Sequence, residues 1–178
     1  MAIVKKKKKK KPIKLSDKDI VLAMTDKGRP CALSSHLVVS NVSWGFKIHE
    51  CDMISVTNSG YATEIEIKIS VADTKKDMTK AHGHKSDKIK YLYFAMPKEI
   101  YEKAKEFVPK QAGIYTVEAY YWRKQLRYRV VCERKAEVNQ GHRKLTDDEI
   151  DQLRRLAAMR YFSMLKRYVR EKRRRDEG

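Results

Sequence analysis

The sequence predicts an α/β fold in which helices flank a mixed central sheet and a long helix is added at the C-terminus. Residues 50–68 are typical of a β-hairpin, with strict alternation from Tyr61 to Ile69 after the turn. A strand, a helix and a strand follow one another between Ile89 and Val117, which is the pattern of a crossover between parallel strands. Because 178 residues with 42% hydrophobic content suffice for a substantial core, we expect one folded domain.

The N-terminal segment, residues 1–14, contains an unbroken lysine run from Lys5 to Lys11. Like charges at this density repel one another, so we expect a disordered arm that contacts nucleic-acid phosphates. The alternative is a tail that only improves solubility. The whole chain has a net charge of +18 and a pI near 9.8. Such a surplus indicates an anionic partner, and nucleic acid is the usual one.

The cysteines and the hydropathy pattern bear on location. Cys31, Cys51 and Cys132 are widely spaced and include no Cys-x-x-Cys pair, which favours reduced thiols in the cytoplasm of a bacterium or of a host cell. No run reaches the apolar length of a transmembrane helix, and no apolar segment follows the lysine run. We therefore expect neither a secretory signal nor a membrane partner.

The first elements after the arm are a short helix and a strand. Ser16 and Asp19 are typical of a capped helix start, and Gly28 is predicted to end this helix. Residues 37–39 are apolar and predict a strand. The hairpin follows, with its turn at Asn58–Gly60.

The second hairpin strand places two kinds of side chain on its two faces. Its period of two puts Ile65, Ile67 and Ile69 on a core face. The opposite face carries Glu64, Glu66 and Lys68. Pairing across the turn brings Asp52 near Glu66, and two carboxylates suit Mg²⁺. Lys68 could then orient or help to deprotonate a water, or stabilise charge on a phosphate. The alternative is a solvated face of laddered charges.

Asp52 followed by Glu66-Ile67-Lys68 on the next strand resembles the PD-(D/E)XK nuclease superfamily, although Cys51 rather than proline precedes Asp52. Flanking segments between about Ser40 and Val117 resemble its MmcB-like branch, which includes DNA-repair-type and phage proteins. These segments are Trp44–Phe46, His49–Asp52, Ser59–Glu64, Glu66–Ser70, Ala72–Asp73 and Lys90–Ala95. The resemblance implies a restriction-endonuclease-like fold, Asp52 and Glu66 as ligands of Mg²⁺ (or Mn²⁺), Lys68 as the catalytic lysine, and Glu50 as an accessory acid.

A helix capped by Ser70 is predicted after the Glu-x-Lys strand, and a glycine-broken loop follows it. In the resembled branch the polar face of this helix lies beside the active site. We therefore expect contacts to the nucleic-acid backbone, with ordinary solubilising charges as the alternative. The expected contact residues are Lys75, Lys76, Lys80, His82 and His84. The two histidines offer only two ligands of a transition-metal site, so we favour phosphate contact for them.

Residues 89–96 are predicted to form a buried strand, after which Pro97 opens a helix over Lys98 to Phe107. The next strand is Ile114 to Val117. Residues 120–129 then mix aromatic and basic side chains, and Arg123, Lys124 and Arg127 are candidate nucleic-acid contacts. An edge strand over 127–134 is the other interpretation, and the two are compatible.

Thr146 to Glu149 form a capping box that opens a long amphipathic stretch with a basic end. We expect this helix to pack on the domain or to pair with a partner, including a second copy of the chain. The predicted organisation is an arm (1–14), a nuclease-like domain (15–140) and a basic helix (141–178). Two functions remain open: a metal-dependent DNA endonuclease acting in repair, recombination or phage DNA metabolism, and a non-catalytic nucleic-acid-binding module.

Overall fold

The computed structural model describes residues 13–26, 37–42, 46–77, 84 and 86–177. The strands are β1 (Leu37–Val42), β2 (Cys51–Val56), β3 (Ala62–Ile67), β4 (Ile89–Pro97), β5 (Gly113–Trp122) and β6 (Gln125–Arg134). The helices are α1 (Asp17–Thr25), α2 (Val71–Asp77), α3 (Lys98–Ala104) and α4 (Asp147–Asp176).

The strands form one mixed sheet in the order β1-β2-β3-β4-β5-β6. The first three strands are antiparallel neighbours, β4 is parallel to β3, β5 is parallel to β4, and β6 is antiparallel to β5. Helix α2 precedes β4 and α3 precedes β5, so each parallel pair is joined by a helical crossover. The predicted fold class is confirmed.

The β2–β3 hairpin forms as the sequence predicts. Gly60 has φ of 83°, which is the left-handed conformation that glycine adopts without a steric penalty. Met53 pairs with Ile65, and both are buried. One expectation is wrong: Ile69, predicted for the core face, is 48% exposed because β3 ends at Ile67 and the chain turns toward α2.

The capping predictions are confirmed. Ser16 and Thr146 each accept a hydrogen bond from the backbone N–H three residues later, within complete capping boxes. Ser70 Oγ accepts from Asp73 N at 3.1 Å at the start of α2. Pro97 is the last residue of β4 and the N-cap of α3, and the predicted helix continues from α3 as a 3₁₀ turn over Lys105–Phe107.

The two faces of the sheet carry different cores. Helix α1 packs on one face, where Ile20 and Met24 join Met53, Ile65 and Ile67. The other face carries two apolar clusters, one shared by β1, β2 and α4 and the other by β4 and α3. Alternate positions of β3 lie on this second face, because Ala62 belongs to the α4-side cluster. Glu64 and Glu66 follow Ala62 on this face.

One edge of the sheet positions the candidate site. We call it the carboxyl edge: β3 and β4 end there at Ile67 and Pro97, and β2 begins there at Cys51. Tyr115 of β5 lies level with Ile67, since both pair with Ala95. Strand β5 continues from Tyr115 to Trp122, seven residues or about 23 Å further. The β5–β6 hairpin therefore projects past the carboxyl edge.

Helix α4 crosses the sheet toward the same edge. Just before it starts, Leu145 N donates to Gly60 O, at the opposite edge. Leu153 and Leu156 pack in the cluster that contains β1. Arg160 Nη2 then donates to Asn41 O at 2.8 Å, close to the end of β1. The sixteen residues from 161 to 176 extend the helix about 24 Å further.

The part of α4 from Met159 onward, the far half of the helix, exposes large apolar side chains. They are Met159, Tyr161, Phe162, Met164, Leu165, Tyr168 and Val169, each between 39% and 66% exposed. The near half packs on the domain as expected, and self-association through the far half stays a prediction. No helix in the described ranges combines the length and the apolar run that would cross a membrane. Most of the lysine arm, Trp44, Lys80 and His82 lie outside the described residues.

Candidate active-site cleft

A cleft of about 300 Å³ opens at the carboxyl edge. Its lining comprises Asn41, Glu50, Cys51, Asp52, Glu66, Ile67, Lys68 and Asp73. All four residues predicted to be catalytic, Glu50, Asp52, Glu66 and Lys68, are in this set. The convergence follows from the hairpin, which places the start of β2 beside the end of β3.

Asp52 is fixed across the hairpin. It precedes Met53, the partner of Ile65, so the same register sets it opposite Glu66. Asp52 Oδ2 accepts a hydrogen bond from Ile67 N at 2.7 Å. This bond holds the Asp52 carboxylate at the end of β3, next to the residue that carries the second carboxylate.

Lys68 lies between two carboxylates. Its Nζ donates to Glu66 Oε2 at 2.8 Å and to Asp77 Oδ1 at 2.9 Å. Burial acts to lower the pKa of Lys68, but the charges of Glu66 and Asp77 and these hydrogen bonds outweigh it and raise the pKa to about 12. Lys68 is therefore an ammonium ion at neutral pH. Of its predicted roles, charge stabilisation and water orientation fit this state, and deprotonation of water does not.

The acidic face of β3 is buried. Glu64 is 0% exposed, Glu66 2% and Lys68 4%. The solvated-face interpretation of these residues is therefore wrong. The charged groups of this face are paired with one another or with histidines, as burial of charge requires.

Glu64, Asp77 and His49 also belong to the charged network, and the sequence analysis did not select them as site residues. Asp77 Oδ2 accepts from His84 Nε2 at 2.7 Å, and Glu64 Oε1 lies 2.7 Å from both His84 Nδ1 and His49 Nε2. The period of two already placed Glu64 beside Glu66, and Asp77 follows Asp73 by one helical turn. The strand period and the helical turn thus predict which faces of β3 and α2 carry the acids, but not that His49 and His84 contact those faces.

The network shifts the pKa values of its members. Burial acts to raise the pKa of the Glu64 carboxyl, but hydrogen bonds from His49 and His84 hold it below its usual value. Burial acts to lower the pKa of His84, and its bonds to Asp77 and Glu64 raise it to about 9. Burial, together with the neighbouring carboxylates, raises the pKa of the Cys51 thiol, so Cys51 is a neutral wall of the cleft.

The predicted nucleic-acid contacts lie in different environments. Lys75 and Lys76 are exposed on α2. His84 is only 9% exposed, and both of its ring nitrogens face carboxylates. We therefore correct its assignment from phosphate contact to the buried network. Lys80 and His82 fall outside the described residues.

The β5–β6 hairpin carries the other predicted contacts. Arg123 and Lys124 form its turn with φ of 47° and 66°, the paired left-handed conformation of a type I′ turn. Tyr120, Trp122, Arg127 and Arg129 line one shallow surface. Strand β6 is an edge strand, as one interpretation predicted, with most positions exposed.

The cleft fits a hard divalent cation. Glu50, Asp52 and Glu66 all line this cleft, and carboxylate oxygens are the ligands that Mg²⁺ and Mn²⁺ prefer. The exposed Glu50 stands at the rim, whereas Glu66 is buried at the wall. The donor set thus agrees with the metal that the resemblance implies.

Comparison with known proteins bears on the fold of the chain only. No family model and no curated protein matches the chain. Among solved structures, it is similar to the SPO1766 protein of unknown function from Silicibacter pomeroyi, with a TM-score of 0.50 and 20% sequence identity. The match covers 73% of this chain and 77% of that chain.

Proposed function

We propose that the chain is a metal-dependent nuclease of the PD-(D/E)XK type, similar to the MmcB-like branch, that hydrolyses phosphodiester bonds in DNA. The observation that carries this proposal is the convergence of Glu50, Asp52, Glu66 and Lys68 on one cleft. Asp52 lies on β2 and Glu66 on β3, the two strands of the hairpin, and Lys68 follows the end of β3. Two carboxylates and one ammonium at one site are the groups that metal-dependent phosphodiester hydrolysis uses.

Each residue has a distinct part in the proposed reaction. Asp52 and Glu66 would hold Mg²⁺ or Mn²⁺, which neutralises phosphate charge and makes coordinated water more acidic. Lys68, held by Glu66 and Asp77, presents a positive charge to the scissile phosphate and stabilises the negative charge that develops on its oxygens. Glu50 adds a carboxylate at the rim of the cleft.

The surroundings of the cleft support an elongated polyanion as substrate. The basic, aromatic hairpin tip and the basic end of α4 both extend past the carboxyl edge, on either side of β2 and β3. Arginine and lysine bind phosphates, and Trp122 is 59% exposed and able to stack on a base. A small phosphorylated metabolite would fit in the cleft and would not need contacts from the hairpin tip or from the end of α4.

The test is cleavage of labelled single-stranded, duplex, flap and junction DNA with Mg²⁺, Mn²⁺ or EDTA. We expect metal-dependent cleavage by the wild type and a loss of about 100-fold or more in Lys68→Met, the effect typical of removing one group that stabilises transition-state charge. Lys103→Met removes the same charge from an exposed position of α3 and should retain cleavage. Binding of each DNA is measured in parallel.

The alternative function predicts a different outcome. If no DNA is cut under any condition while wild type and Lys68→Met bind the panel equally and in a salt-sensitive way, the chain is a binding module and the nuclease proposal is rejected. Equal cleavage by wild type and a correctly folded Lys68→Met would likewise reject the role of this lysine.

A further inference from the structure

A second group of ligand-type side chains adjoins the cleft, and none of its members is among the residues that line the cleft. His49 Nε2, a Glu64 carboxylate oxygen and His84 Nδ1 all lie within 4.8 Å of one another. Their side chains are 6%, 0% and 4% exposed. They come from the segment before β2, from the middle of β3 and from the segment after α2. Three distant parts of the chain therefore meet at one buried point.

The contacts are those of ligands around one centre. Glu64 Oε1 lies 2.7 Å from each histidine nitrogen, and the two imidazole rings meet nearly at right angles, with centroids 5.2 Å apart. In tetrahedral zinc sites with bonds of about 2.0–2.1 Å, neighbouring ligand atoms are about 3.3 Å apart. Each Glu64–histidine contact would lengthen by about 0.6 Å to reach this separation.

An independent observation points the same way. Glu64 Oε2 belongs to a side chain with no exposed surface and has no hydrogen-bond partner within the described part of the chain. A carboxylate oxygen buried in this way is costly unless it binds something. A cation that binds both oxygens of the Glu64 carboxylate, together with the two histidines, would satisfy it.

The surrounding residues would orient such a site. Asp77 Oδ2 accepts from His84 Nε2 at 2.7 Å, so Nδ1 is the ring nitrogen that would bind the cation, which displaces the proton shared with Glu64. A carboxylate behind a histidine ligand is the usual outer partner in zinc sites. Asp77 is also bonded to Lys68, so it is held independently of His84.

We propose that His49, Glu64 and His84 form a binding site for a transition-metal dication of the Zn²⁺ class, separate from the Mg²⁺ site of the cleft. Two imidazoles and one carboxylate favour such an ion over Mg²⁺, which prefers oxygen ligands alone. Zn²⁺ binding at this site can be measured without DNA cleavage, although Asp77 connects the site to Lys68 of the cleft.

The test uses the full chain, stripped with chelator and titrated with Zn²⁺ and with Co²⁺. We expect one tightly bound equivalent, a visible Co²⁺ spectrum of nitrogen and oxygen coordination, and two imidazoles in the zinc X-ray absorption spectrum. His49→Ala should abolish stoichiometric binding, and Asp77→Asn should weaken it about 10- to 100-fold. His142→Ala and Asp52→Asn should both bind as the wild type does.

Three outcomes would overturn the site. One is the absence of a bound equivalent in the wild type, and another is an absorption spectrum without imidazole. The third is unchanged binding by a His49→Ala variant whose circular dichroism is native. The first two need no variant, so the proposal stays testable even if His49→Ala does not fold.

Discussion

Asp77 accepts from two cationic or proton-bearing groups through its two oxygens. Oδ1 receives the Lys68 ammonium and Oδ2 receives His84 Nε2, in a side chain with 4% exposure. Because Asp77 joins Lys68 to the buried histidine His84, its charge affects both. Hydrogen bonds to charged, buried groups are among the stronger contributions to stability.

Asp77→Asn should therefore lower both stability and activity. An amide keeps the shape but removes the negative charge, so the pKa of Lys68 should fall and Lys68 should be less firmly placed. We expect a loss of about 1.5–3 kcal/mol in the free energy of unfolding, measured by urea denaturation, and slower DNA cleavage. Asp73→Asn is the matched control, since Asp73 lines the cleft one turn earlier on α2, whereas Lys68 Nζ donates to Glu66 and Asp77. Equal stability losses in the two variants would contradict the assigned role.

The sequence predicts the pairing of Asp52 with Glu66 in the cleft, but it does not predict the partners of Glu64 in the buried network. The position of Asp52 opposite Glu66 follows from strand alternation and one turn, both of which are local. The partners of Glu64 are not local, because His49 and His84 are 15 and 20 residues away along the chain. Nothing in a period of two tells which side chains will cover a strand face.

At the scale of elements, Glu149 anchors the long helix. It is the third residue of α4 and accepts from Thr146 N in the capping box. Arg143 donates to both of its oxygens at 2.8 Å, and Lys88 Nζ lies 3.3 Å from Oε1. Hydrogen bonds from Arg143, with those from Thr146 and Lys88, outweigh burial and hold the pKa of Glu149 at about 2.

This shift predicts how the stability of the α4 anchor depends on pH. A carboxyl whose folded pKa is depressed stabilises the fold above its unfolded value of 4.5, and the contribution is lost as pH falls toward about 2. Glu149→Gln keeps the capping geometry but cannot ionise. The difference in Tm between wild type and Glu149→Gln should be largest at pH 7 and should shrink between pH 4.5 and 2. Asp148→Asn, at an exposed first-turn position, should show a much smaller difference, and an equal one would contradict the anchor.

The β5–β6 hairpin is the element that the sequence described least well. The strand predicted over Ile114 to Val117 continues to Trp122, and its turn uses Arg123 and Lys124 rather than Asn-Gly. Turn rules recognise residues that adopt positive φ at little cost, so they did not detect a turn of two long cationic residues. The same two residues set the basic tip of the hairpin, which makes the unusual turn relevant to binding.

In the whole molecule, two basic segments, the β5–β6 hairpin tip and the C-terminal end of α4, extend past the edge of the sheet that carries the acidic cleft. The chain carries 41 lysines and arginines against 23 acids. Strand order puts the hairpin on the β6 side of the cleft, and the packing of α4 on β1 puts the basic helix end on the other side. The composition alone predicts an anionic partner. The topology adds that the hairpin tip and the C-terminal end of α4 lie on either side of Asp52, Glu66 and Lys68.

If the hairpin tip and the end of α4 hold DNA across the cleft, the position of a positive charge should affect DNA binding more than the total charge does. Three triple substitutions to glutamine, each removing three positive charges, separate these effects. The hairpin set is Arg123, Lys124 and Arg127. The helix set is Arg173, Arg174 and Arg175. The control set, on exposed positions near the opposite edge of the sheet, is Lys110, Lys135 and Lys144.

We expect the hairpin and helix variants to bind duplex DNA more weakly and to lower the slope of log Kd against log salt by about 2–3, since each phosphate contact contributes about 0.9. The control variant should change the slope by less than about 1, because the loss of charge far from a phosphate is screened over about 10 Å at 0.1 M salt. Fluorescence anisotropy between 50 and 200 mM salt measures all three slopes. Equal slopes for the three variants would show that binding depends on net charge alone, and the arrangement of the two ends around the cleft would then have no part in it.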